Sequence, residues 1–170
     1  MKLINPLLII RILSTILLIE TFAFLFCIPV ALLYGEPLRP FIIPAIISGF
    51  LYINLRISSF NADTSRYSIR DGYLVVTISW IVIVLMGSLP YLLSHTIPSF
   101  INALFESTSG FTTTGASILA DVESLPFSIL FWRSFTHWIG GLGIIVLVII
   151  ILPSLKISGQ QLFTLESSLK

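Results

Sequence analysis

From residue 7 to residue 33 the sequence is apolar almost without interruption, broken mainly by Arg11 and Glu20. A helix of about 20 such residues is long enough to cross the hydrocarbon of a bilayer. Lys2 and Arg11 flank the run as they would in a cleaved signal peptide. The run is too long for that, since a signal core holds about 7–15 apolar residues, and no A-x-A-like site follows it. The reading is a retained transmembrane helix over residues 7–34. Glu20 then lies near mid-membrane, where a carboxylate is costly. We expect it at a helix contact as a protonated or hydrogen-bonded carboxyl, rather than paired with another helix or facing a pore. Pro29 is positioned to bend the helix.

Composition carries the same message to the whole chain. Of its 170 residues 56% are hydrophobic and 10% charged, with a mean hydropathy of +1.03. Soluble domains carry about 25% charged residues, so the chain is an integral membrane protein. A net charge of +1 offers no footprint for nucleic acid. The one cysteine, Cys27, excludes an internal disulfide and reads as a small apolar side chain. Neither a Gly-rich phosphate loop nor an H-E-x-x-H pair is present.

The order of segments follows from turns and charge. Gly35-Glu36-Pro37 is a turn, and a second helix over 40–55 contains Pro44 and Gly49. Residues 1–55 thus form an N-terminal hairpin. The polar linker 56–71 carries Arg56, Arg66 and Arg70 against Asp63 and Asp71, which the positive-inside rule places in the cytoplasm. A third span covers 72–94, with Pro90 marking a kink or its end. Residues 95–98 form an outer loop, the last span covers 126–152, and the tail 154–170 is cytoplasmic. Lys2, Arg11, Arg56, Arg66, Arg70, Lys156 and Lys170 fall inside, and only Arg39 and Arg133 outside. Both termini are therefore expected in the cytoplasm.

Between the last two spans lies a segment of different character. Residues 99–110 are too short to span and too apolar for a free loop. They read as a half-helix entering from the outer side, with Pro98 near its start. Residues 111–117, Phe-Thr-Thr-Thr-Gly-Ala-Ser, then climb back as extended backbone. Non-helical backbone at membrane depth survives only if buried in protein or lining a watery path. Here the carbonyls of Thr113, Thr114, Gly115 and Ala116 can replace the hydration shell of a cation. The half-helix adds the partial negative charge of its C-terminus. The fold class is an all-α membrane protein, an N-terminal hairpin followed by one helix–re-entrant pore loop–helix repeat over 72–153.

Two blocks, Glu-Ser-Thr-Ser-Gly-Phe-Thr-Thr-Thr-Gly-Ala-Ser over 106–117 and Trp-Arg-Ser-Phe-Thr-His-Trp-Ile-Gly-Gly-Leu-Gly over 132–143, together resemble the first pore repeat of the TrkH branch of the Trk/Ktr/HKT potassium transporters. The resemblance runs from about Met1 to the last residue and covers the front part of the family's usual chain. It implies potassium as the transported ion, no organic cofactor, and Gly115 as the filter glycine. It further implies a bacterial inner membrane, four such repeats around one pore, and a cytoplasmic nucleotide-binding regulatory subunit as partner. Ala116 and Ser117 stand where the Thr-Val-Gly-Tyr-Gly channel pattern has Tyr and Gly. One repeat supplies about a quarter of a carbonyl ring. The chain is thus expected to be a truncated or split member, residues 160–167 resembling the run-on into the next repeat, with a homotetramer as the other account.

Around the filter, Glu106, Gly110, Thr112 and Arg133 are expected as support. Glu106 has Arg133 or His137 as its candidate partner, in a structural role. Gly140, Gly141 and Gly143 form a small-residue face for packing, or a hinge. Asp121 and Glu123 stand at the outer mouth, as cation attractors or ordinary loop charge. Two other readings remain open. One is a non-conducting structural membrane subunit. The other is an intramembrane serine protease using Ser109 and His137, although Ser107 stands where that motif has Gly and the Thr-rich run has no role there.

Overall fold

The computed structural model describes residues 5–60 and 69–154, with side chains over 5–60 and 70–145. Residues 61–68 of the expected linker and 155–170 of the expected tail lie outside the described residues. Among the described residues six helices follow in order: α1 Pro6–Leu33, α2 Arg39–Ser58, α3 Ile69–Gly87, α4 Leu89–Leu93, α5 Phe100–Phe111 and α6 Phe127–Ser154. No strand occurs among the described residues. The protein is an all-α membrane protein. By length and composition Pro6–Leu33, Arg39–Ser58 and Arg70–Leu93 can each cross a bilayer. Helix α6, with 28 residues, is longer than the about 20 required.

Helix α1 starts where local chemistry dictates. Asn5 accepts a hydrogen bond from the Leu8 amide at 3.2 Å, and Pro6 occupies the first turn, where no amide is needed. The Asn5 amide in turn donates to Asp71 Oδ1 at 3.0 Å, tying this start to the first turn of α3. The helix ends in a Schellman arrangement. Gly35, at φ +66°, donates to Leu32 O, and Glu36 donates to Ala31 O at 2.8 Å. Only glycine takes that backbone angle freely. Helix α2 then folds back along α1, the two making the most extensive helix pair, with Thr21 and Ser48 hydrogen-bonded across it at 2.8 Å.

The third apolar segment is kinked, as Pro90 leads one to expect. It breaks at Ser88 into α3 and the short α4. Pro90 causes this, because it lacks an amide and its ring excludes the carbonyl four residues back. The break leaves the Gly87 carbonyl free for a different partner, the indole Nε1 of Trp132 at 3.0 Å. Trp132 is fully buried at the centre of the core. Phe24 of α1 packs on it with ring centroids 4.8 Å apart, and Phe111 meets it edge-on at 6.2 Å. Helices α1, α3, α5 and α6 therefore converge on one indole.

Candidate functional site

Helix α5 is short because its ends are forced. Ser99, in extended conformation, follows Pro98 and accepts the Ala103 amide at 2.9 Å. At the other end the helix closes in a second Schellman arrangement. Thr113 donates to Gly110 O at 2.9 Å, and Thr114 donates to Ser109 O at 3.0 Å. The left-handed position of this motif is normally glycine. Here it is Thr113, at φ +55°. A β-branched residue at positive φ is an outlier that its surroundings must enforce.

Past this point the backbone is neither helix nor strand as far as α6. Gly115 also has positive φ, at +77°. Residues 112–118 are exposed. Among the described residues, the carbonyls of Thr113, Thr114 and Gly115 accept no hydrogen bond. The Ala116 carbonyl differs, because Ser109 Oγ donates to it at 2.5 Å. The hydroxyls of Thr112 and Thr114 bond to each other at 2.8 Å.

Glu106 anchors the returning limb. Its side chain is buried at 1% exposure and accepts Arg133 Nε at 2.7 Å. Ser117 Oγ lies 3.1 Å from both carboxylate oxygens, and the Ile118 amide donates at 3.1 Å. Of the two partners offered by the sequence, Arg133 reaches Glu106. His137 makes no hydrogen bond among the described residues. Ser109 and His137 form no dyad, since the Ser109 hydroxyl is committed to Ala116.

The glycines set how closely α5 approaches its neighbours. A Cβ on Gly140 would overlap the Phe111 carbonyl oxygen, and one on Gly110 would overlap Thr136 Oγ1. On the opposite side a Cβ at Gly87 would overlap the Phe111 ring. Phe111 is thus gripped between α3 and α6 immediately before the exposed segment. Gly141 has more room, with Thr113 Cγ2 4.0 Å from a Cβ position, and Gly143 would touch Trp80 at 3.7 Å. Asp121 and Glu123 lie in the loop between α5 and α6, where Asp121 Oδ1 accepts the Glu123 amide at 3.0 Å. No group of three or more His, Cys, Asp or Glu able to hold a metal occurs among the described residues.

Some contributors were not singled out in the sequence. Ser107 donates to Val84 O at 2.8 Å and pins α5 to α3. Glu36 was read only as part of a turn. It accepts the Phe127 amide at 2.7 Å and the Ser128 amide at 2.9 Å, and also the Ser128 hydroxyl. A hydroxyl-rich helix signals the first contribution, but no local pattern links positions 91 residues apart.

Residues 41–169 match the family model of TrkH, described as a cation transport protein. The chain belongs to the TrkH family. It is 48% identical over 98 residues to the Trk system potassium uptake protein TrkH of Vibrio parahaemolyticus, and 47% identical over 98 residues to that of Escherichia coli. Each alignment covers 57% of this chain and 20% of the relative. The fold is similar to the crystal structure of the potassium transporter TrkH from Vibrio parahaemolyticus. That match has a TM-score of 0.78 and 35% identity, and covers 96% of this chain and 36% of the other. The chain therefore spans between a fifth and just over a third of the length of these TrkH proteins.

Proposed function

We propose that this chain supplies one limb of a potassium selectivity filter within a TrkH-type transport pore. The observation that carries the reading is the set of exposed, unpartnered carbonyls of Thr113, Thr114 and Gly115, directly beyond the C-terminal end of α5. A helix C-terminus favours a cation, and a carbonyl with no donor is available to replace water around one. The strain at Thr113 is consistent with a backbone held for a ligand rather than for its own stability. Ala116 is the outermost of the four proposed ligands. Its carbonyl shares its lone pairs with Ser109 and is the weakest donor of the set. Glu106, Gly110, Thr112 and Arg133 act behind this limb as support. The names of the relatives favour potassium as the ion.

A filter needs carbonyls on several sides of the ion. Further repeats, from the remainder of a longer chain or from identical copies, complete the ring. An apolar groove of about 350 Å³ beside the limb, lined by Trp80, Ile81, Val84, Leu85, Leu104 and Thr108, offers a seat for a neighbouring repeat. The arginine-rich loop 56–71 favours cytoplasmic termini in a bacterial inner membrane. Family resemblance adds a nucleotide-binding regulatory subunit on that side. Membrane potential can drive uptake, at about 2.3 kcal/mol per charge per 100 mV.

Rubidium uptake by the Gly115→Asp variant, in cells lacking other potassium uptake, tests the reading. The carboxylate enters the ion path and uptake is expected to cease. Native uptake by an inserted variant would remove the filter assignment.

A further inference from the structure

Helix α6 lacks a cap of its own. The residue before it is Pro126, which has no side-chain acceptor for the first amides. Those amides are instead met from the far end of the hairpin. Glu36 follows the Schellman glycine at the end of α1, which turns the chain across the first turn of α6. Its carboxylate takes the Phe127 and Ser128 amides and the Ser128 hydroxyl, and a negative charge is favoured at a helix N-terminus. Beside it Tyr34 stacks on Phe127, with centroids 4.3 Å apart. Six residues further along α6, roughly 9 Å at 1.5 Å per residue, Arg133 meets Glu106 at 2.7 Å. Glu106 then holds Ser117 and Ile118 on the outer limb.

We propose that Glu36 is a positioning residue of the filter. By fixing the first turn of α6 it sets the height of Arg133 against Glu106, and so the placement of the limb that carries Gly115. This rests on the filter reading above. A helix is stiff along its axis, so a displacement at its first turn is carried to Arg133. The hairpin then serves as the outer abutment of the pore helix in addition to anchoring the chain in lipid.

The test is rubidium uptake and sodium competition by the full transporter carrying Glu36→Ala, Glu36→Gln or Glu36→Asp, each normalised to the amount inserted. Glu36→Ala is expected to raise KM for rubidium about three- to tenfold and to lower discrimination against sodium. Glu36→Gln, whose amide oxygen still accepts one helix amide, is expected to recover most of the native KM. Glu36→Asp keeps the charge with a shorter reach and should fall between them, which serves if the alanine variant fails to insert. Native KM and sodium competition in every inserted variant would overturn the proposal. So would a fall in maximal rate alone, because that leaves ion recognition by the filter unchanged. Gly115→Asp, measured in parallel, separates the two claims. If it abolishes uptake while the Glu36 variants behave as native, the filter stands and the positioning role fails. If it leaves uptake intact, the filter reading itself fails.

Discussion

Arg133 Nε lies 2.7 Å from Glu106 Oε1, joining the N-terminal third of α6 to the middle of α5. Glu106 is 1% exposed and Arg133 18%, so the pair is largely out of water. The carboxylate is also bonded by Ser117 and Ile118. It resembles a tie rod more than an ion ligand, because its acceptor positions are occupied by the protein.

Removing the cation leaves that carboxylate buried with neutral donors only. Arg133→Ala is expected to destabilise the purified transporter by about 3–5 kcal/mol. The bond is made through Nε alone, so Arg133→Lys, a point donor on a flexible stem, should recover part of the loss. Thermal unfolding in detergent measures both. Equal melting of wild type and Arg133→Ala would show that the pair carries no structural load.

Gly140 and Gly141 should behave oppositely despite being adjacent. A methyl on Gly140 meets the Phe111 backbone, which cannot swing aside, whereas one on Gly141 meets only Thr113 Cγ2 at 4.0 Å. Gly140→Ala is expected to cost about 1–3 kcal/mol and to impair rubidium uptake. Gly141→Ala should be close to neutral on both counts. Matching losses from the two variants would mean that flexibility of α6, and not close packing, is what these glycines provide.

Thr113 is held at φ +55°. A side chain in that region costs about 1–2 kcal/mol. Glycine there relieves the strain but gives back about 0.5–1 kcal/mol in chain entropy. Thr113→Gly is therefore expected to raise stability slightly, by up to about 1.5 kcal/mol, and to weaken discrimination between rubidium and sodium as the limb loosens. A clear fall in melting temperature would show that the threonine side chain contributes more than its backbone strain costs.

The helices were legible because length and hydropathy specify spans directly, and the short, hydroxyl-rich α5 stood out against them. Gly115 and the Thr run were legible as unusual backbone. Three things were not. Pro90 marks a kink in the third span, but not that the break falls at Ser88, two residues earlier. The commitment of Ser109 to the Ala116 carbonyl depends on how the chain returns, which a linear pattern does not encode. Glu36 was hidden most fully, since its partners lie 91 and 92 residues away and a turn glutamate looks ordinary.

Trp132 gathers the core by a single polar contact, its indole Nε1 on the Gly87 carbonyl at 3.0 Å. Trp132→Phe removes that bond and leaves both a void and an unmet carbonyl. The expected loss is about 2–4 kcal/mol, seen as a lower unfolding midpoint. An unchanged midpoint would mean the break between α3 and α4 is stable without the indole.

Backbone carbonyls of this chain are proposed to face the transported ion. Thallium, a heavy potassium mimic, can be located directly in a structure of the full transporter. Thallium density is expected against the carbonyl oxygens of Thr113, Thr114 or Gly115, with Glu106 out of contact. Density bound by the Glu106 carboxylate, or none along residues 113–116 while the ion is seen elsewhere in the protein, would contradict it.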